Sequence, residues 1–461
     1  MSFTLRTIDS QSNFASQLSM QALESVIPRA TIEAALTQAH AWQRRERKLS
    51  MVMVVLVLIA MNLYRTVSLG HVLRKVVQGL RFIWPDSNYA VAKAHAFTYR
   101  RYQLGVPVMQ QLFHQICRPM ATQATHGAFL FGLRLMALDG TTEDLPDTAA
   151  NEAVFGRHKT GRGRTAFPQV QCVFLAEAGT HAIVDAGFWP IETSERVGGL
   201  RLLRSIEAGM LLMWDRGFHA YDMVKATLKR GAQVLGRLPA HVKPIIIRSL
   251  PDGSELARLL PSDYRRRSSG DHQVVRLITY TLTDEQRSGY LERHRLITTL
   301  LDPVAAPALD LVCAYHERWE IELTIDEVKT HQLSAMKLRS QKPVGVVQEL
   351  YGLLLAHYAV RSLMHAAAVE ADLDPDRLSF THALRVIGDA MAEFEMVAPE
   401  ERPRLYHRLL GDLVDVLLPA RRLRVNPRVV KRKMSNYRLK RAEHAHWRHP
   451  TQPFRKVVAL I

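Results

Sequence analysis

The residues that could do chemistry come in three places. Asp139 closes the apolar run Phe131–Leu138 and is followed by Gly140; Asp215 closes the apolar run Met210–Trp214 and is followed by Arg216 and Gly217. A carboxylate at the carboxyl end of a central strand stands where open α/β sheets place their ligands. An Asp-Gly pair that merely turns the chain accounts for either aspartate taken alone. Two of them at matching strand ends bring the ligand reading level with the turn reading. The third place is the stretch Ala314–Lys329, which reads as a helix. Its Tyr315, Arg318, Glu322 and Lys329 are three, four and seven residues apart, so at about 3.6 residues per turn they share one face. Asp326 falls there too, while Ile321 and Val328 can turn a neighbouring stripe to the core. A solvated face laced with i,i+4 pairs is the ordinary explanation of such a helix. A tyrosine on the stripe, and a basic residue on each side of one glutamate, are less expected of it.

Asp139, Asp215 and Glu322 together would suit metal-assisted phosphoryl transfer. Mg2+ takes oxygen ligands and is commonly held by one or two carboxylates plus water and phosphate. Two such ions about 3.5–4 Å apart can serve both the attacking and the leaving oxygen, with Arg318 and Lys329 neutralising phosphate charge. Competing motifs fail. His316-Glu317 has Glu320, not His, three residues on, so it is no zinc-protease helix. Gly161 and Gly163 lack the third glycine of a dinucleotide fingerprint, Lys159-Thr160 lacks a phosphate-loop context, and there is no Gly-x-Ser-x-Gly elbow.

These residues need elements to hold them. Residues 1–100 read as helices, with little Gly or Pro inside Thr31–His40 or Met51–Leu80. Around Phe129 the texture changes to strands. Phe167–Glu177 and His181–Trp189, joined by Ala178-Gly179-Thr180, form a hairpin pattern. Leu200–Ala208 reads as a short helix, Met210–Trp214 as a buried strand, Tyr221–Arg230 as a helix and Gln233–Leu238 as a strand. Residues 240–305, with Val274–Leu282 and His294–Leu301 alternating, look like an inserted antiparallel β-rich piece. A long helical pattern follows over Leu309–Gln332, then further helices over 343–419 and a basic end. The fold class is therefore α/β: a mixed sheet flanked by helices, in an order that suits a ribonuclease-H-like core. The implied division is 1–125 helical, 126–240 the first part of the core, 241–305 the insertion, 306–370 the rest of the core, and 371–461 helical with a basic tail.

Composition sets the partner. Of 461 residues, 61 are Lys or Arg against 44 Asp or Glu, a net +17, and with 47% hydrophobic residues the chain is neither disordered nor low in complexity. The excess points to an anionic partner, nucleic acid or an acidic membrane surface. The longest apolar run, Met51–Met61, is eleven residues, where spanning a bilayer takes about 20, so it is expected to be a buried helix and no membrane contact is expected. Three scattered cysteines, Cys117, Cys172 and Cys313, exclude a disulfide scaffold and fit a reducing cytoplasm. The charge is concentrated: residues 421–456 carry thirteen Lys or Arg, Lys431, Arg432 and Lys433 among them, against Glu443 alone. With Tyr437 and Trp447 interleaved, that stretch suits phosphate contact better than a solubilising tail. The loop Gly156–Arg164, with Arg162 and Arg164, is either a second phosphate contact beside Asp139 or an ordinary solvated loop.

The pattern Tyr315-x2-Arg318-x3-Glu322-x6-Lys329 resembles the signature helix of DDE transposases of the insertion-sequence-four family. Leu138-Asp139-Gly140-Thr141 and Asp215-Arg216-Gly217-Phe218 resemble the settings of that family's two catalytic aspartates. The step of 107 positions from Asp215 to Glu322 leaves room for the family's β-rich insertion. The N-terminal hundred residues and the basic stretch from Asn426-Pro427-Arg428 to Ser435-Asn436-Tyr437 resemble the family's ends. The resemblance implies a Mg2+-dependent enzyme, with Mn2+ able to substitute and a two-metal site on Asp139, Asp215 and Glu322. Such an enzyme cuts double-stranded DNA at transposon-end inverted repeats and joins the freed 3′-hydroxyl to target DNA. It further implies DNA contacts from Tyr315, Arg318 and Lys329, a homodimer in the synaptic complex, a prokaryotic cytoplasmic, nucleoid-associated setting, and an aromatic in the insertion, Tyr264 or Tyr280, to stack a flipped base. A nuclease of the same fold that cuts without joining, and a transposase-derived repressor without catalysis, are the rival readings.

Overall fold

The computed structural model describes residues 23–73 (except 24, 44, 46–48 and 66), 93–418 (except 161–162, 288 and 335–336), 429–430, 438–442 and 452–461. Its strands of three residues or more are β1 (Leu133–Asp144), β2 (Gln169–Glu177), β3 (Ala182–Pro190), β4 (Met210–Trp214), β5 (Gln233–Arg237), β6 (Ile245–Ser249), β7 (Glu255–Leu259), β8 (Gln273–Leu282), β9 (His294–Thr298) and β10 (Val458–Leu460). The helices used below are α1 (Met51–Leu63), α2 (Ala94–Ile116), α3 (Ala308–Glu317), α4 (Trp319–Asp326) and α5 (Pro343–Glu370). The chain is a mixed α/β protein that divides into two compact units. The first takes residues up to Ala128, Gly140–Gly198 and Glu320–Leu418; the second takes Phe129–Asp139, Gly199–Trp319 and the residues from Pro419 on. No helix among the described residues is long and apolar enough to cross a membrane.

The first unit is built around α1 and α5. Every residue from Met51 to Asn62 is buried, and the Ser50 hydroxyl caps the helix by accepting from the Met53 amide at 3.2 Å. A helix apolar all round belongs in a core, which is where the run that was too short for a membrane lies. It crosses α5 at Gly352, where a Cβ would come within 2.5 Å of the Leu58 carbonyl oxygen. Alongside them α2 is broken at Gly105, whose φ is 71°, just before Pro107. The buried Gln348 amide donates to Arg101 O at 2.6 Å and Gly105 O at 2.8 Å, satisfying two carbonyls beside the break. The β2–β3 hairpin, antiparallel from Val170↔Pro190 to Glu177↔Ala182, turns through Gly179 at φ 80° and adjoins the second half of β1, where Gln171 donates to Thr141 O at 3.3 Å.

The second unit is a sheet in the order β1-β4-β5-β9-β8-β7-β6, using the first half of β1, with β10 beside β8. The β1–β4 and β4–β5 pairings are parallel; the others are antiparallel. The residues read as an inserted β-rich piece are indeed antiparallel strands, and they continue the same sheet through the β5–β9 pairing, Leu296↔Arg237 to Thr298↔Leu235. Arg276, fully buried in β8, is held by Ser254 Oγ at 2.7 Å, Ala306 O at 2.6 Å and the Asp252 carboxylate.

Two expectations are corrected. The strand carrying Asp139 does not stop at Asp139-Gly140 but runs on to Asp144. Gly140 needs no left-handed conformation, and it leaves room for the Glu195 side chain, whose Oε1 a Cβ there would meet at 2.4 Å. The pattern over Leu309–Gln332 is not one helix. It is α3, a break at Arg318, α4 and a π-helical turn Glu327–Gln332 in which the Leu333 amide donates to Val328 O, five residues back, at 2.9 Å. Lys329 therefore does not follow the 3.6-residue spacing from Glu322.

Candidate active site

In the second unit, register brings the two aspartates together. β1 and β4 are parallel partners with Leu138 opposite Trp214, so Asp139 and Asp215 are the next residues on strands about 4.8 Å apart. Leu135–Leu138 and Met210–Trp214 are buried on both faces, as suits a central parallel pair, and their Cα partners run from Arg134↔Met210 to Leu138↔Trp214. Asp215 also accepts from the Gly217 amide at 2.8 Å. It therefore makes the turn as well as standing at the strand end.

Around this pair stand the first two signature residues. Arg318 is buried, with Nη1 3.7 Å from Asp139 Oδ2 and its guanidinium carbon 5.8 Å from the centre of the Tyr315 ring. The Tyr315 hydroxyl is pushed up to about 12, by burial first, against the pull of Arg318 and Arg237 and with the help of Asp215. At neutral pH it is a hydrogen-bond donor and not a base. The next ring over, His316, stacks on Phe454 at 3.9 Å and 6°, Arg287 lies over the other aromatic at 5.5 Å, and β10 follows directly.

In the first unit, Glu322 is half-buried on α4. Lys329 Nζ donates to Thr141 Oγ1 at 2.9 Å and Thr142 O at 2.7 Å, and lies 3.3 Å from Glu143. These three residues follow Asp139 on the same strand, which the spacing of the signature alone did not suggest. Burial raises the Glu143 carboxyl and Lys329 opposes it; the net is upward. Asp326 is exposed and accepts from Thr330, in the π-helical turn that follows, at 2.5 Å.

Of the other predicted contacts, Arg164 is exposed and pairs with Glu152 at 2.9 Å. Arg162, Lys431, Arg432 and Lys433 lie outside the described residues. Tyr280 is not available to a base: it faces inward from β8 against His294, ring centres 5.1 Å apart, and burial pushes its hydroxyl up to about 12. Tyr264, in the short helix Tyr264–Ser268, is exposed.

A group that the sequence reading missed lies in the first unit, on the stretch that carries Glu322 and Lys329. Buried Glu327 is gripped by His181, His357 and Arg361, and His181 also reaches Glu320 and Asp376. His181, Glu320 and Asp376 offer ligand atoms within 4.8 Å of one another. Both nitrogens of the imidazole are already engaged by carboxylates. The signal was present: Glu320 and Glu327 are seven residues apart, off the face that bears Glu322.

The family model for the insertion element 4 transposase N-terminal matches residues 17–114, and that for the transposase DDE domain matches residues 130–359. The chain is 29% identical, over 92% of its own length and 91% of the relative's, to the transposase InsG for insertion sequence element IS4 of Escherichia coli (strain K12). A cryo-EM structure of a piggyBac transposase synaptic complex with hairpin DNA is similar at a TM-score of 0.42 and 10% identity, covering 87% of this chain and 86% of that one.

Proposed function

Because the chain belongs to the insertion-sequence-four family of DDE transposases, DNA-cleaving and strand-transferring enzymes, we propose that Asp139, Asp215 and Glu322 are its catalytic carboxylates. In this reading it cuts at the inverted repeats of transposon ends and joins them to a target by cut-and-paste. The observation that carries the assignment is the parallel register Leu138↔Trp214, which leaves Asp139 and Asp215 side by side. The strand orders β3-β2-β1 in the first unit and β1-β4-β5 in the second support a ribonuclease-H-like core.

The donor set fits a hard divalent cation. Asp139 and Asp215 offer carboxylate oxygens from neighbouring strands, and we assign Glu322 as the third donor. Bound there, Mg2+ or Mn2+ would supply Lewis-acid activation of the attacking oxygen and stabilise the leaving one. The chain's own residues do the rest. Arg318, beside Asp139, neutralises one carboxylate in the resting enzyme and turns to phosphate when DNA enters. The Tyr315 hydroxyl keeps its proton and donates to a phosphate oxygen. Lys329, tied to Thr141 and Thr142, holds the continuation of β1 and presents charge to the DNA backbone. Base recognition falls to the helices of residues 1–125, phosphate contact to the basic stretch 421–456, and the exposed Tyr264 is the aromatic for a flipped base. One such site per transposon end calls for two protomers in the synaptic complex.

The test is a Mg2+- or Mn2+-dependent cleavage and strand-transfer assay on DNA carrying the flanking inverted repeats, with Glu322→Gln alongside. Wild type should cut and join, and Glu322→Gln should bind the ends without cutting. Equal cleavage by the two would refute the carboxylate assignment, and cutting without joining would leave a nuclease.

A further inference from the structure

Behind Glu322 is a cluster of buried charge that none of the chemistry above uses. Glu327 opens the π-helical turn. Its Oε2 accepts from Arg361 Nε at 2.9 Å and from His357 Nε2 at 3.0 Å; its Oε1 accepts from His181 Nδ1 at 2.9 Å and from Arg361 Nη2. His181 turns its other nitrogen to Glu320 Oε2 at 2.8 Å, with Asp376 Oδ1 at 3.4 Å. One imidazole therefore bridges two carboxylates seven residues apart on the same stretch of chain. His181 does this from the β2–β3 turn at φ 57°, a conformation that a non-glycine residue adopts only when its surroundings impose it. The turn itself is pinned by buried Glu177, which accepts from the Met120 and Ala121 amides at 3.0 and 2.9 Å and from Thr180 Oγ1 at 2.7 Å. Arg361 and His181 hold the Glu327 carboxyl well below its usual range in spite of burial, so the cluster stays ionic.

Its position matters. Glu320 and Glu327 each lie two residues from a signature residue, Glu322 and Lys329. Two residues along a helix turn the side chain by about 200°, so the cluster grips the stretch from the side away from Glu322. A π turn frequently marks a functional site, and here its first residue is the hub of the cluster while its third, Lys329, reaches Thr141 and Thr142 on β1.

Resting on the catalytic assignment of Glu322, we infer that Glu327, His181, His357, Arg361 and Glu320 form a positioning knot. It sets the rotation of the chain that bears Glu322 and holds the π turn that brings Lys329 to β1, without any member touching DNA or metal. Fixing a ligand through a locked outer layer is how protein sites reach their working geometry. Loss of the knot should therefore show in metal affinity and in the chemical step, and not in DNA binding.

The experiment compares full-length wild type, Glu322→Gln, Glu327→Gln and His357→Gln. Each is measured for folded fraction by thermal unfolding, for end binding in Ca2+, and for single-turnover end cleavage across a Mg2+ titration. For Glu327→Gln we expect end binding within about twofold of wild type, a half-saturating Mg2+ concentration raised about tenfold or more, and a cleavage rate per folded molecule lowered about tenfold. His357→Gln, which puts a flexible amide donor in place of the fixed imidazole and changes no charge, should show the same shift at about threefold, and it decides the matter if Glu327→Gln does not fold. Activity that falls only with the folded fraction, at an unchanged Mg2+ midpoint, makes the knot merely structural and overturns the inference. If wild type does not cleave, or Glu322→Gln cleaves like wild type, the catalytic assignment fails and takes this inference with it. If those two behave as expected and Glu327→Gln keeps the wild-type Mg2+ midpoint, this inference alone fails.

Discussion

Gly236 gives a direct handle on Asp215 without touching it. It is opposite Trp214 in the parallel β4–β5 pairing, and the fully buried indole lies over it. A Cβ at Gly236 would come within 2.5 Å of Nε1, 2.7 Å of Cε2 and 3.2 Å of Cδ1 of Trp214. In Gly236→Ala the indole or the strand must move. Overpacking of this kind costs about 1–3 kcal/mol, and removing a glycine from a strand returns about 0.5–1 kcal/mol, leaving a net loss of about 0.5–2 kcal/mol. For a unit of this size that lowers the melting temperature by roughly 1–8 °C. Trp214 immediately precedes Asp215, so a shift of the strand carries the carboxylate with it, and a misplacement near 1 Å costs on the order of 100-fold in rate. Thermal unfolding by circular dichroism and single-turnover end cleavage read the two effects. Gly411→Ala, where nothing lies within 4 Å of the added Cβ, is the control and should be neutral or slightly stabilising. Wild-type melting and cleavage in Gly236→Ala would refute the reasoning, since the indole would then yield freely and the register would not fix Asp215.

Tyr315→Phe should lower end cleavage about tenfold or more, the worth of a hydrogen bond to a charged group, with the fold intact. Because the hydroxyl sits at about 12, no inflection of the wild-type pH–rate profile between pH 8 and 10 should vanish in the variant; one that did would make the tyrosine an acid–base group. Phe454→Ala removes the stack on His316 and the contact with Arg287; it should cost about 1 kcal/mol beyond the lost apolar area, read as a lower urea midpoint. His181 supplies a pH dependence. Burial and Arg361 press its pKa down, but Glu327, Asp376 and Glu320 outweigh them and the net is upward, to about 9. A folded pKa above the ordinary 6.5 gives stability that is complete below pH 6.5 and lost as pH rises through about 9. Urea midpoints from pH 6 to 9.5 should fall for wild type and fall less for His181→Gln; parallel curves would refute the charged imidazole.

The parts legible in the sequence were those with a local signal. Met210–Trp214 is five apolar residues bounded by turn formers, and it is a strand over the same five. The hairpin was marked by Ala178-Gly179-Thr180 and the Met51 helix by unbroken apolarity. The aspartates were legible because each closes such a run. What was hidden depends on partners far along the chain. Asp139-Gly140 reads as a stop, yet the strand continues beside the β2–β3 hairpin, where Lys329, 188 residues on, also reaches Thr141. The signature stretch looks like one helix by periodicity, while Glu327, bound to Arg361 and to His181 from a distant turn, stands where the π turn begins. Tyr264 and Tyr280 were equal candidates until sheet register put Tyr280 inside.

The parallel pairing of β1 with β4 has a consequence for how the protein is made. Seventy-five residues separate Asp139 from Trp214, and at ribosomal speeds of about 5–20 residues per second the parallel edge of β1 waits roughly 4–15 s for its partner. Through that interval Leu135, Met136 and Leu138 belong to a strand with one side unclaimed, the kind of edge that recruits a neighbouring nascent chain. Pairings this distant also form slowly once both strands exist. The strand that carries Asp139 is thus, during synthesis, a segment in need of a chaperone. Added chaperone during synthesis should raise the soluble yield of the protein more than added time for refolding does, and slower translation, which lengthens the wait, should lower it.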